Sequence, residues 1–535
     1  MALSTAGFVE RLAGQPLVRR LADAGLARYA RRRVALLDRS DAVAVQRSCL
    51  MTLLLEARRT QFGRDHEFSR IRSVDEYQRC VPLRTYEEFW KQYWQPAFPR
   101  LTDVTWPGLI PYFALSSGTT SGTTKYVPVS REMLASNRKA ALTSLALFLA
   151  GHPGSRLFTG KAFFLGGSGD LTRLADGVSG GDLSGIAARE VPAMLRPYTY
   201  PPLGLALFRD WDRKLDLLAE RSAREPITAV GGVPSWMLLL FERLLQFTGK
   251  SCIADVWPSL QVVIHGGTKF DPYRALFRRL VGGDAVQFHE TYPASEGFIA
   301  CEDPRFGLLR LLPDHGIFFE FVPVDELQSN APARHTLADL VTGIQYAVVL
   351  TTCAGLWSYA LGDTVCFEKR DPPLLRFTGR TRYYLSAFGE HLISEEVERA
   401  VTVAASVFGA EVVDFHVGPV FPEKPTEPGY HRYLVEFDRE PVDLSRFADE
   451  LDAALCRLNE DYAAHRQGDL TMRAPQVCPV PRGGFAAWMR SQGKLGGQHK
   501  VPRMDNSGEL TEQLYCFLHA DRVAARRASC IDPAD

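Results

Sequence analysis

The stretch Ser116-Ser117-Gly118-Thr119-Thr120-Ser121-Gly122-Thr123-Thr124-Lys125 carries seven hydroxyls, two glycines and one lysine in ten residues. It follows the apolar run Phe113-Ala114-Leu115, as a loop leaving a strand does. Glycine lets a backbone approach a ligand closely. Hydroxyls and free N–H groups donate to phosphate oxygens, and the lysine adds positive charge. The pattern is not a Walker A loop, in which Lys directly follows the second Gly, because Thr123 stands there. Taken alone, the stretch reads as a phosphate-binding loop or as a Ser/Thr/Gly linker.

Working outward, the segments 161–166 (KAFFLG), 227–231 (ITAVG), 260–265 (LQVVIH), 317–322 (IFFEFV) and 345–352 (QYAVVLTT) read as buried strands. Between them, 212–223 and 234–247 read as helices. This alternation predicts a layered α/β domain. Residues 1–95 read as helices and loops. Near 383–390 the pattern changes to a short strand, a loop at Phe388-Gly389-Glu390 and a helix from about Ser394. On that helix Val397, Val401, Ala404 and Phe408 share one face. The expected organisation is a large domain, 1–382, of sheets flanked by helices, and a small α+β domain, 383–535.

The phosphate stretch resembles the loop of the adenylate-forming superfamily, which includes acyl-CoA synthetases, adenylation domains and luciferases. In particular it is similar to that of the acyl-acid–amido synthetases, the group that includes the plant enzymes conjugating auxin and jasmonate to amino acids. Thr60-Gln61-Phe62-Gly63-Arg64-Asp65-His66 and Val81-Pro82-Leu83-Arg84-Thr85-Tyr86-Glu87 resemble the same group. So does Tyr292-Pro293-Ala294-Ser295-Glu296-Gly297, with Pro293 where a small residue is usual. The resemblance implies an adenine-covering ring at Tyr292, an α-phosphate donor at Ser295 and Mg²⁺ at Glu296, a cation suited to one carboxylate plus phosphate oxygens. His265-Gly266-Gly267 resembles the glycine turn that lies along adenine. Tyr359-Ala360-Leu361-Gly362-Asp363 is similar to a ribose-binding motif with Asp363 as acceptor, and Ala360 stands where an Arg is usual. Gly379-Arg380 resembles the domain junction, and Arg382 stands where a hinge Asp is often found. Gly496-Gly497-Gln498-His499-Lys500-Val501-Pro502-Arg503 resembles the late loop that brings a catalytic lysine to the nucleotide, about a mobile hinge.

The activity implied is ATP-dependent activation of a small carboxylic acid as an acyl-adenylate, then transfer to an amine such as an amino acid. Ser117, Lys125, Lys500 and Mg²⁺ at Glu296 would share the charge that develops on phosphate. The loop Ser116–Thr123 would hold the phosphates. Two alternatives stand beside this: a thiol acceptor, as in an acyl-CoA synthetase or carrier-loading enzyme, and a non-catalytic nucleotide-binding protein. Gly180-Gly181-Asp182-Leu183-Ser184 faintly resembles a phosphopantetheine site, but it lies inside the large domain, and no fused carrier domain is expected.

Composition sets the outer bounds. The 535 residues are 46% hydrophobic and 23% charged, which suits a sizeable globular chain. Sixty-two basic and 62 acidic residues cancel, so nothing pulls the chain as a whole toward nucleic acid or an anionic membrane. No apolar run reaches the ~18 residues of a spanning helix. Ten cysteines include no C-x-x-C pair, which argues against a zinc site or disulfide framework and fits a reducing cytoplasm. The Arg-rich N-terminus reads as surface helices, with Phe8, Leu12, Val18 and Leu21 on the apolar side.

Overall fold

The computed structural model describes residues 13–117, 124–166, 171–208, 210–267, 270–327, 329, 331–381, 384–385, 387–388, 390, 392–421, 428–459, 462–463, 466, 472–492 and 501–519. They fall into two compact units. The first takes in the described residues of Met1–Lys269 and Arg279–Phe377. The second takes in those of Phe270–Arg278, Thr378–Leu495 and His499–Asp535.

The first unit is built on an eleven-stranded sheet and a four-stranded sheet. The smaller sheet holds β1 (Tyr112–Ser117), β2 (Thr124–Val129), β4 (Thr172–Ala175) and β5 (Val178–Gly181). The larger one contains β3 (Lys161–Leu165), β6 (Thr199–Tyr200), β7 (Ile227–Gly232), β8 (Val262–Gly266) and β9 (Gln287–Ala294), all paired in parallel. The antiparallel half adds β10 (Gly297–Asp303), β11 (Leu308–Leu311), β12 (Ile317–Pro323), β13 (Gln345–Thr352), β14 (Tyr359–Lys369) and β15 (Leu374–Arg380). The strands expected from sequence are present, with ends shifted by two residues or fewer. β7 and β12 are buried almost throughout, the continuous apolar signature of a strand covered on both faces.

Helix Pro16–Arg39 packs against helix Arg131–Gly151 by a face on which two charged residues lie among the apolar ones. Its buried residues are Asp23, Leu26, Ala30, Arg33, Val34 and Leu37, whereas Leu21, expected on the apolar side, is 64% exposed. The reason is pairing. Arg33 forms a fork of two 2.6 Å bonds to Asp314 and donates to Thr143, and Asp23 accepts the Phe158 N–H. A paired charge can be buried where a lone one cannot. Phe8 and Leu12 lie outside the described residues. Asp182, in the stretch that faintly resembles a carrier site, accepts the Ser184 N–H and caps helix Leu183–Arg189.

The second unit centres on a three-stranded sheet of β18 (Glu411–Val420), β19 (Tyr430–Arg439) and β20 (Gln476–Val480), preceded by the short pair β16 (Tyr384–Leu385) and β17 (Leu392–Ile393). Helices Ser394–Val407 and Leu444–Leu458 bring Val397, Val401, Ala404, Phe447 and Leu451 into its core with Phe415 and Val435. The nine described cysteines are all free. No helix among the described residues is long and apolar enough to cross a membrane.

Candidate functional site

β1 and β2 form an antiparallel hairpin whose last pairs are Ser116 with Lys125 and Ser117 with Thr124. The chain between them, Gly118, Thr119, Thr120, Ser121, Gly122 and Thr123, lies outside the described residues. The Lys125 ammonium lies 5.0 Å from the centre of the Tyr86 ring and 3.9 Å from Glu87 Oε1. Tyr86 is 8% exposed, and its hydroxyl oxygen accepts the Tyr126 N–H at 2.7 Å. Tyr86 and Glu87 ride on helix Tyr86–Phe89, which opens with a capping box between Thr85 and Glu88.

β9 and β10 form a second hairpin, with Ala294 opposite Gly297 and only Ser295 and Glu296 at its tip. That tip follows β9 at the carboxyl end of the parallel strands, where ligands of open α/β sheets bind. Pro293 fits because β9 has passed the end of β8, whose last pair is Gly266 with Thr291, so no N–H is wanted on that side. Glu296 Oε1 accepts the Tyr359 hydroxyl at 3.0 Å. Burial pushes the Glu296 carboxyl above its ordinary range, and Asp363 adds to the push. The Tyr359 hydroxyl and the Lys125 charge oppose it. The Tyr359 phenol is in turn pushed far up by burial and by Glu296.

Tyr292 donates to Asp363 Oδ2 at 2.9 Å, and its ring meets Phe377 edge-on at 5.2 Å. Both partners of that bond are nearly enclosed, at 6% and 7% exposure. The ring read as an adenine cover is therefore packed inward in this structure, and the ribose candidate already serves one protein donor. Gly266 has a steric reason: a Cβ there would lie 2.3 Å from the Thr291 carbonyl oxygen. Gly267 takes φ +76°, a conformation that suits glycine. His265 is a buried strand-end residue whose carbonyl accepts from Thr291 Oγ1.

Directly before Tyr359, Ser358 has φ +46° and is held by a sealed polar network. Its hydroxyl bonds Tyr77 and Glu320, and Arg334 grips both Glu320 oxygens from Nε and Nη2. Arg84 joins the same strand end, its N–H donating to Ser358 O and its carbonyl accepting from Ala360 N.

Lys125 and the two separated motifs 292–297 and 359–363 thus meet at one place in the first unit. In the second unit, Gly379 has φ +143°, and a Cβ there would press on Ser394 at 2.8 Å. Arg380 is exposed at the end of β15. Arg382 and Lys500 lie outside the described residues. The chain just past Lys500 is anchored: Val417 and residues 503–505 exchange backbone bonds, and Arg503 pairs with Glu398 at 2.9 Å. Tyr86 and Glu87 lie in the segment Val81–Glu87, whose sequence pattern marks neither of them for a role.

An open mixed sheet with polar loops gathered at the carboxyl ends of its parallel strands is the architecture of a ligand-binding α/β protein. Residues 35–205, 310–380 and 395–509 match, in order, the GH3 family N-terminal, central and C-terminal domains. The chain belongs to the GH3 family. It is 25% identical over 522 residues to a probable indole-3-acetic acid-amido synthetase, GH3.1, of Oryza sativa subsp. japonica, covering 82% of this chain and 83% of the relative. It is 24% identical to jasmonoyl–L-amino acid synthetase JAR4 of Nicotiana attenuata, covering 75% and 80%. The solved acyl acid amido synthetase AtGH3.15, in complex with 2,4-DB, shares its fold with a TM-score of 0.76 at 18% identity, covering 91% of this chain and 96% of that one.

Proposed function

We propose that this chain activates a small carboxylic acid with ATP and passes the acyl group to an amine, with an amino acid as the acceptor class. The single observation that carries the reading is the meeting of Lys125, Glu296, Tyr359 and the Tyr292–Asp363 pair at the carboxyl end of the parallel strands, in a chain of the GH3 family. The amido synthetase names of its relatives support the same chemistry.

A carboxylate is a poor acyl donor because its leaving group would be oxide. Attack of its oxygen on the α-phosphorus of ATP forms the acyl–phosphate anhydride and expels pyrophosphate. Attack of an amine on the acyl carbon then forms the amide, expels AMP and releases a proton. Lys125 supplies positive charge beside the phosphate loop, where charge builds on the phosphate oxygens. Asp363, steadied by Tyr292, accepts from ribose with its remaining capacity. Ser116, Ser117 and the loop that follows donate to phosphate and Ser295 donates beside Glu296; the resemblance to the family further assigns a ribose or phosphate contact to Arg380, a catalytic role to Lys500 and the hinge to Arg382.

The residues fit a magnesium ion bound with the nucleotide. The described residues offer no group of three ligating side chains, so Glu296 would give one oxygen and phosphates and water the rest. The ion would neutralise phosphate charge.

ATP–pyrophosphate exchange across a panel of aromatic and aliphatic acids tests the first half-reaction, and amide formation with amino acids against thioester formation with CoA tests the second. Exchange with no acid would overturn adenylation; thioester product alone would overturn the amide assignment. Lys500→Ala should slow adenylation about a hundredfold or more while ATP still binds.

A further inference from the structure

We propose that Tyr86 and Glu87 are positioning residues for Lys125, drawing its ammonium away from Glu296 so that this carboxylate stays free for a divalent cation. The inference rests on the function proposed above, in which Lys125 and Glu296 both serve ATP.

The two functional groups oppose each other. An ammonium and a partly buried carboxylate attract, and Lys125 is close enough to Glu296 to favour its charged form. A lysine that settled on Glu296 would occupy the charge a cation needs. Something must compete for the lysine, and helix Tyr86–Phe89 does so twice. Glu87 Oε1 is 3.9 Å from Nζ, and the Tyr86 face is 5.0 Å from it. Carboxylate and ring quadrupole both attract a cation.

The cradle is rigid where it has to be. The Tyr86 ring stacks on Trp90 at 6.0 Å and packs against Trp94. Its hydroxyl holds the backbone N–H of Tyr126, the residue after Lys125, so ring and lysine keep one spacing. The capping box fixes the helix start through Glu88, not Glu87. Glu87 has a 52% exposed side chain and, among the described residues, pairs with Lys125 alone, so its carboxylate is spare for this task. On the other side, the Tyr359 hydroxyl holds Glu296 Oε1. Lysine and carboxylate are thus each tethered by a group of their own.

Calorimetric titration of the full chain with ATP, once with Mg²⁺ and once in EDTA, tests this without any acid substrate. Glu87→Gln should weaken magnesium–ATP binding by about twofold to fivefold and leave metal-free ATP binding nearly unchanged. Glu87→Asp should restore most of the loss, and Tyr86→Phe, which keeps the ring but not the acceptor, should fall between. A second readout needs neither metal nor nucleotide. In protein whose lysines carry ¹³C-methyl labels, Glu296→Gln should shift the Lys125 resonance more in the Glu87→Gln background than in the wild type. Equal weakening of both forms of ATP would reduce Glu87 to a structural role, and no change in either would overturn the proposal outright. Failure of the wild-type chain to bind ATP in either form would instead remove the nucleotide reading, and this inference with it.

Discussion

Two glutamates flank Tyr359 and have opposite fates. Glu320, on β12, is fully buried and gripped at both oxygens by Arg334, with Ser358 and Gln78 adding bonds. Glu296, at a hairpin tip, has a neutral phenol as its bonded side chain. Burial therefore raises its carboxyl above the ordinary range. The first carboxylate is a finished piece of structure. The second is left short of positive charge, which is the condition in which a carboxylate gains most from a cation. One residue of backbone separates the two arrangements: Ser358 belongs to the sealed network and Tyr359 to the open one.

Breaking the sealed side should cost the most. Arg334→Ala leaves Glu320 buried and unpaired, and urea unfolding should show a loss of about 3–5 kcal/mol. On the open side, Glu296→Gln keeps shape and loses charge. The rate of pyrophosphate exchange should fall about a hundredfold, with urea stability not reduced. Tyr359→Phe removes only the phenol that orients Glu296, and the same rate should fall about tenfold.

The smallest effect is in stability against pH without ligands. A carboxyl whose folded pKa is raised favours folding most when protonated and loses that contribution as pH rises through the raised value. At neutral pH Glu296 thus costs stability, and Glu296→Gln should melt about 1–2 °C higher than wild type. The gap should close below about pH 4, where the carboxyl is protonated folded or unfolded. A variant that melts lower at neutral pH would show that Glu296 is as satisfied as Glu320.

The sequence exposed the open side better than the sealed one. Buried strands such as β7, β12 and β13 announce themselves as apolar runs, and Ser394–Val407 by its period. Gly266, Glu296, Tyr359 and Asp363 stand in short motifs because each must meet a neighbour at close range. The sealed network is scattered over Tyr77, Glu320, Arg334 and Ser358, and no spacing links them. The same holds for Arg33, whose partner Asp314 lies 281 residues away. Charged residues buried through pairing carry no hydrophobic mark, which is why Asp23 and Arg33 were not legible as part of the buried face of helix Pro16–Arg39. Tyr86 and Glu87 were visible as letters, but their use follows only from where β2 places Lys125.

The pairing of β1 with β2 has one more consequence. Lys125 takes its place from the register Ser116–Lys125, not from the length of the chain joining the strands. Residues added between Ser117 and Thr124 would leave the lysine over Tyr86, whereas one residue removed from β2 would turn it to the opposite side of the ribbon. The lysine's address is thus written in the pairing of two strands rather than in the stretch that joins them.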